Sequence, residues 1–587
     1  MVRGCAAAYR ACIYAKRHVS RAISMSKQID DLELPLGKRT KSYRFFEMLP
    51  GLLTYSMLSL LVILSFFQPL LAAIYILLVI LALFVRSLGI AYRTIHGHGQ
   101  LVAAEKINWR QRVQDLAAAR KGSLPDQQFS KKEFEAKRHR EILQSILNKN
   151  LEIPDPQKIY HAVIIAAYNE SYDVIQPTVE SVKATSYDNK NLIVYLAYEE
   201  RGGEDIEQTA RRLKKEYASV FKAFQIVKHP KDLPEEIPGK GPNITFAGKK
   251  LQEWCNQQNI PYDDVIVTTL DSDNRPYKSY FDYVSYEYLV HTNRERLSYQ
   301  PIALYFGNIW DAPAPMRVLA TGNSFWTIIS SMRPHTLRNF AAHSQPLTAL
   351  IKMNFWSKRS IVEDGHQYWR SYFYYRGDYG VVPIHVPIYQ DAVMADTLKK
   401  TMVAQFKQLR RWGYGASDVP YVATRLFTRQ RTVPFWEGFA RFWRLLDGHV
   451  SLASTAIIVA VGGWIPLLVN REASRNYTVH SLPTVVSYIQ TVAMIGIFIT
   501  IFLMLKMLPP RPERYKRRRT IAMVLQWILM PVTSVCYSAF AAINAQTHLL
   551  FGRYLETFDV TDKATLASRE KAKKQRQAEK TQKKKKR

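Results

Sequence analysis

Two textures alternate along this chain. Residues 49–91 and 446–545 are largely apolar, whereas residues 92–440 mix polar and apolar positions at short period. The first apolar block is interrupted at Gln68-Pro69. Each half is near the roughly 20 residues that a spanning helix needs, which predicts a helical hairpin over 49–91. Residues 92–154 are charged and helix-prone and read as a helical linker. From Tyr160 onward, apolar runs of strand length alternate with amphipathic runs of helix length. Strands are expected at 161–168, 191–198, 224–227 and 264–270, with helices at 176–184, 204–217 and 244–257. That alternation predicts a doubly wound, mostly parallel α/β sheet with helices on both faces, in a domain over 155–400. Ligands of such sheets bind beyond the carboxyl ends of the strands, where Glu170, Glu199 and Asp271 fall.

After this domain the pattern changes again. Residues 401–447 predict helices lying at a membrane interface, and 448–551 predict transmembrane helices. Two spans are expected near 450–469 and 485–508. Residues 521–551 read either as one crossing or as a re-entrant hairpin bent at Pro531. The hairpin is preferred, because a single crossing would carry the Lys-rich tail, 564–587, across the membrane. That tail is of low complexity and is expected to be disordered.

Composition sharpens the membrane reading. The formal net charge is +32, from 81 Lys and Arg against 49 Asp and Glu. Such a balance first suggests nucleic acid. The basic residues, however, gather in the segment 1–48, in the loop 509–520 with Arg511, Arg514, Lys516, Arg517, Arg518 and Arg519, and in the tail. Clusters beside apolar spans follow the positive-inside rule and attract anionic lipid at about 1 kcal/mol per basic residue. The expected partner is therefore a membrane and not nucleic acid. The protein is expected to be an integral, multi-pass protein of the plasma membrane with 92–440 cytosolic. The loop 470–482 should face outward; it holds the sequon Asn476-Tyr477-Thr478. Residues 1–29 lack acids, as a transit peptide does, but they read more simply as a basic cytosolic lead into the first span. Four scattered cysteines exclude a disulfide framework and a zinc site.

Several residues carry candidate chemistry, and each has a plainer reading. Asp271 and Asp273 are two apart at a strand end, so their carboxylates share a side and can hold Mg²⁺ or Mn²⁺ together with a diphosphate. The plainer reading is turn chemistry in Asp-Ser-Asp-Asn-Arg-Pro. Lys240 opens a helix, where it can reach a phosphate or simply be solvated. Glu363-Asp364 precedes an aromatic helix at 367–375; Asp364 can take a proton from an acceptor hydroxyl or cap the helix. Gln408, Arg411 and Trp412 share a face of a helix from about Met402. There Arg411 can pair with a diphosphate and Trp412 can stack on a sugar; an amphipathic helix on the membrane explains the same residues. His366 and His385 have no partner spacing for a metal and read as structural or acceptor-lining.

Together these segments resemble the membrane-embedded family 2 glycosyltransferases, a group that includes cellulose, chitin and hyaluronan synthases. The resemblance spans roughly residues 155–563. Ala167-Tyr168-Asn169-Glu170 looks like the family's nucleotide-binding first strand, and Asp271-Ser272-Asp273 like its metal-binding Asp-x-Asp. Val362-Glu363-Asp364 looks like its Thr-Glu-Asp, whose last residue is the base, and Gln408-Leu409-Arg410-Arg411-Trp412 fits Gln-x-x-Arg-Trp. Phe558-Asp559-Val560-Thr561-Asp562-Lys563, within 552–563, is similar to the Phe-x-Val-Thr-x-Lys gating segment of cellulose synthases, with Phe558, Val560, Thr561 and Lys563 at the pattern positions. Glu199-Glu200 stand where the family has paired aspartates at the base, and Val362 replaces the Thr.

The resemblance implies a GT-A-like fold and an inverting, metal-dependent hexosyl or N-acetylhexosaminyl transfer. The donor would be a nucleotide sugar, UDP-linked by preference, and the acceptor a growing polysaccharide. Transfer of one sugar to a membrane lipid is the alternative acceptor reading. The non-enzymatic alternative is a membrane-anchored sugar-nucleotide-binding protein on a degenerate transferase scaffold.

Overall fold

The structure, a computed structural model, describes residues 32–123, 132–470, 472 and 475–555 of the 587-residue chain. The basic lead 1–31 and the segment Phe558-Asp559-Val560-Thr561-Asp562-Lys563 lie outside the described residues, as does the tail.

Eight strands form one sheet in the order β3-β2-β1-β4-β7-β6-β8-β5. They are β1 (Tyr160–Ala167), β2 (Leu192–Glu199), β3 (Ala223–His229), β4 (Val265–Asp271), β5 (Arg275–Pro276), β6 (Leu297–Leu304), β7 (His343–Pro346) and β8 (Gly380–Tyr389). β3, β2, β1 and β4 pair in parallel, as do β6 and β8. Only β7 and β5 run against their neighbours. The mostly parallel α/β sheet expected from the alternation is therefore present. Its first four strands sit within two residues of most of the expected bounds.

Both faces are covered, which is why the strands read as unbroken apolar runs. Val163, Ile165, Val194 and Leu196 point to one face, where Trp109, Leu143 and Tyr283 complete the core. Ala162, Ile164, Ile193 and Tyr195 point to the other, under Ile244, Leu251 and Trp356. Neighbouring residues of one strand thus serve opposite cores. The helices Trp109–Arg120 and Ala136–Leu147 do more than link: the Trp109 ring stacks on Tyr283 at 3.5 Å between centroids.

Among the described residues, five helices are long and apolar enough to cross a membrane: Lys41–Phe67, Pro69–Glu105, Phe435–Val469, Tyr477–Met507 and Arg518–Leu550. The first two meet at Gln68, where Pro69 cannot continue the preceding helix. Asn476 of the sequon caps the fourth, its side chain accepting from Thr478 N at 3.0 Å and Val479 N at 3.4 Å.

The fifth segment, which the sequence reads as a crossing or a hairpin bent at Pro531, is one helical run of 33 residues. Pro531 lies at the start of a short α-turn, where its missing N–H costs little, and the chain stays helical through a π-bulge at Ser534–Ala539. Both ends of this helix touch the polar domain. Near its start, Arg519 donates to Trp310 O at 2.7 Å, and Gln526 accepts from Arg317. Near its end, Ala542 packs on Gly413, and Leu549 joins Ile361, Val362 and Tyr414.

Candidate active site

The parallel strands end side by side, with Ala166 opposite Asp271 and Ala167 opposite Tyr198. The loops leaving β1, β2 and β4 therefore share one rim. Glu170 ties two of them: Oε2 accepts from Tyr168 N at 2.7 Å and Oε1 from Ser272 Oγ at 3.0 Å. Asn243 fixes the strand ends by donating to Ala197 O at 3.0 Å and Ala167 O at 3.3 Å. Gly202 lets the β2 loop press on the β1 loop; a Cβ there would lie 1.7 Å from Tyr168 O.

One cavity is lined by Ala167, Tyr168, Glu170, Glu199, Lys240, Asp271 and Asp273 on the sheet side. Glu363, Asp364, Gln408, Arg411 and Trp412 close it from the helices Glu363–Tyr374 and Leu398–Gly413. Residues separated by more than 200 positions thus converge on one space. Glu200 is not brought there. Its carboxylate turns to Lys231 N at 3.1 Å and Lys228 Nζ at 3.6 Å, because the 3₁₀ turn Glu200–Gly202 rotates it off the rim.

Lys240 is the charge centre of this cavity. Its Nζ lies 2.7 Å from Asp271 Oδ1 and 3.6 Å from Glu363 Oε1, and it donates to Ala341 O at 3.0 Å. Burial alone would lower its pKa, but the carboxylates of Asp271, Glu363 and Asp364 outweigh burial and raise it. Gly241, next to it, admits this close packing: a Cβ there would meet Ser357 O at 2.3 Å.

Glu363 and Asp364 both titrate above the ordinary carboxylate range. Burial is the main cause for each, and Lys240 opposes it. Asp364 also accepts from Gly365 N at 2.7 Å. It is not the helix cap, a position held by Val362 without a side-chain bond, but lies in the first turn. Glu199 is raised by burial too, against the pull of Arg201, which it binds and whose guanidinium sits 5.3 Å over the Tyr168 ring. His366 is buried and bonded to Asp418 Oδ1 at 2.7 Å, and His385 is part of β8; neither lines this cavity.

Lining residues that escape the sequence reading include Tyr305, Ala341, Gln390 and Asp391. Tyr305 follows β6 and its ring lies 6.1 Å from that of Trp412. Asp391 N donates to Asp273 Oδ2 at 3.2 Å, and its carboxylate pairs with Arg275 at 3.3 Å. The signal for Asp391 was the one that exposed Asp271: an acid just past an apolar run, here β8.

Asp271 and Asp273 are the residues that can hold a metal. Among the described residues, no group of three or more His, Cys, Asp or Glu side chains could hold one. Two carboxylates still fit Mg²⁺ or Mn²⁺, because such ions take one or two protein carboxylates and fill the remaining positions with substrate phosphate oxygens and water.

No protein-family model matches the chain, and no curated protein does. Solved structures match only slightly. A mannosyltransferase from Pyrobaculum calidifontis, in complex with GDP-Man and Mn²⁺, is 11% identical with a TM-score of 0.35, over 71% of this chain and 98% of that one. S. aureus TarS 1–349 is 10% identical at 0.30, over 68% and 93%. Glucosyl-3-phosphoglycerate synthase from Mycobacterium tuberculosis, with Mn²⁺, UDP and phosphoglyceric acid, is 13% identical at 0.26, over 47% and 80%. Likenesses this slight say nothing about substrate.

Proposed function

We propose that the protein is an inverting, metal-dependent family 2-type glycosyltransferase. It moves a hexosyl or N-acetylhexosaminyl group from a nucleotide sugar, UDP-linked by preference, to an acceptor presented at the membrane. The observation that carries this reading is the convergence of three distant acidic or basic motifs on one cavity at the carboxyl ends of β1, β2 and β4.

In this reading Ala167, Tyr168, Glu170 and Glu199 line the nucleoside side. Lys240 and Arg411 face the diphosphate. An acceptor hydroxyl attacks the anomeric carbon as the carbon–oxygen bond to the diphosphate breaks, and the nucleoside diphosphate leaves with the bonding electrons. Asp364 takes the hydroxyl proton; its raised affinity for protons makes it a stronger base than an ordinary carboxylate. Trp412 offers the acceptor ring a stacking face. A divalent ion held by Asp271 and Asp273 would supply charge compensation for the leaving diphosphate. The segment that carries Phe558, Val560, Thr561 and Lys563 lies outside the described residues. The chain enters that segment at Tyr554-Leu555, which packs on Ile361, Val362 and Tyr414.

We place the polar domain in the cytosol, with the protein crossing the plasma membrane several times and its basic segments on anionic lipid. Two acceptors fit this geometry, a growing polysaccharide and a membrane lipid.

The test is a panel of nucleotide sugars given to the purified full chain with Mg²⁺ or Mn²⁺. Release of nucleoside diphosphate from one donor, abolished by chelator, is the expected result. Failure of every donor to be bound or cleaved would leave the degenerate-scaffold reading.

A further inference from the structure

A second cavity, of about 870 Å³, lies between the polar domain and the long apolar helices. Ile90 and Ile497 line it from the helices Pro69–Glu105 and Tyr477–Met507, and Trp326, Phe340 and Trp369 from the polar domain. Trp369 belongs to the helix that starts at the Glu363-Asp364 pair. The segment between the two cavities is short: Arg338 and Phe340 line this one, and Ala341 lines the first.

The cavity wall carries five arginines, Arg86, Arg333, Arg338, Arg441 and Arg444, and one acid, Asp447. Asp447 is bound by Arg86 at 3.1 Å, and Arg441 is bound to Glu437 at 2.8 Å. Arg333, Arg338 and Arg444 have no carboxylate within ion-pair distance among the described residues. Asp418, which acts on Arg338 from a neighbouring helix, already holds His366. Burial pushes both Arg333 and Arg338 below their ordinary values. Arg444 repels each of them, and Arg93 also repels Arg333. Arg333 and Arg338, each partly buried, and the exposed Arg444 thus face one partly apolar space, where an entering anion would meet three cations.

The height of the cavity along the apolar helices decides the kind of anion. Arg444 stands beside Trp443, which is 59% exposed, and two turns from Trp436, which is 78% exposed. Exposed tryptophans on an apolar helix mark the headgroup level of a bilayer. A neutral sugar polymer would need the aromatic rings but would leave the arginines uncompensated.

We propose that this cavity binds the phosphate head of a membrane lipid, with Arg333, Arg338 and Arg444 around the phosphate and the lipid chain between the helices that carry Ile90 and Ile497. Use of that lipid as the acceptor rests on the transfer reading above; binding does not.

The test uses the full chain in phosphatidylcholine nanodiscs, titrated with farnesyl phosphate and followed by tryptophan fluorescence, since Trp326 and Trp369 line the cavity. Saturable quenching is expected, with farnesol and inorganic phosphate each at least ~10-fold weaker. The double variant R338Q/R444Q should bind at least ~10-fold more weakly, and R338K/R444K should keep most of the affinity. Thermal melting of the same samples reports that the variants are folded, and nucleotide-sugar binding is measured beside it. Equal binding by R338Q/R444Q overturns the proposal. So does equal binding of farnesol, which would make the space merely apolar, or of inorganic phosphate, which would make it a site for soluble anions. Binding only of a hexuronate oligosaccharide would assign it instead to an acidic polymer. Loss of nucleotide binding alone would sink the transfer reading and leave this one standing.

Discussion

Asp364 sits in a cluster of like charges held by one lysine, so its chemistry is inseparable from that of Lys240. A general base contributes ~10²–10⁴-fold, and Asp364→Asn is expected to lose at least that much transfer while binding donor as before. Unchanged turnover in that variant would remove Asp364 from the role. The same substitution has a stability signature. A carboxyl with a raised folded pKa holds its proton more tightly folded than unfolded. Stability is therefore lost as pH rises from the ordinary carboxylate value through the raised one. Asp364→Asn should melt higher than the parent at pH 8 and close to it at pH 4, read by thermal unfolding at both. Lys240 opposes that rise in Glu363 and Asp364. Lys240→Met should thus move the acid limb of the kcat/KM profile to higher pH, and a limb that stays in place or falls would show that Lys240 does not set the base.

At the scale of elements, what was legible followed from local periodicity. β1, β2 and β4 announced themselves because both faces are buried, and the acids at their ends could be read as a rim. β6, β7 and β8 were missed because polar residues and prolines break their apolar runs. β6, though buried throughout, carries Ser298, Gln300 and Pro301; β7 is four residues, three of them polar; and β8 is interrupted by Pro383 and Pro387, with a register shift against β6 at Pro301/Ile302. Tyr305 and Asp391 were lost with those strands. Glu200 was misjudged because one 3₁₀ turn, invisible to periodicity, decides which of two adjacent glutamates faces the cavity. Gly202 is the counterpart: its spacing shows nothing, yet the rim depends on it. Gly202→Ala forces Tyr168 O away from a Cβ that would sit 1.7 Å from it. Nucleotide affinity should fall at least ~10-fold by isothermal titration, at a stability cost of about 1–3 kcal/mol. Wild-type affinity would mean that the two loops are not coupled.

At the scale of the whole molecule, the five long apolar helices among the described residues are arranged around one polar domain. Length and composition make Arg518–Leu550 a crossing, at about 50 Å for its 33 residues. Its contacts argue otherwise. A crossing helix leaves one end beyond the far headgroups, yet here Arg519 holds Trp310 at one end and Leu549 packs on Val362 near the other. Its side chains are sorted to match. Ile521, Leu525, Ile528 and Val532 are exposed at spacings of three and four, while Met523, Trp527, Tyr537 and Ala541 are buried against the polar domain and against Leu503 and Met504 of the fourth long helix. An apolar stripe facing out and a packed face would suit a helix lying in the membrane surface. The π-bulge at Ser534–Ala539 would then let a long helix follow a curved domain. Such an arrangement would also return residue 551 to the side of the Arg-rich loop, as the charge rule asks. In a background with the four native cysteines replaced, Arg518→Cys, Arg553→Cys and Lys214→Cys should all react with an impermeant maleimide from the same side of sealed vesicles. Tyr477→Cys, at the start of the fourth helix, should react only from the other side. Labelling of Arg553→Cys together with Tyr477→Cys would make the fifth helix a true crossing and set the contacts at Leu549 and Tyr554 aside.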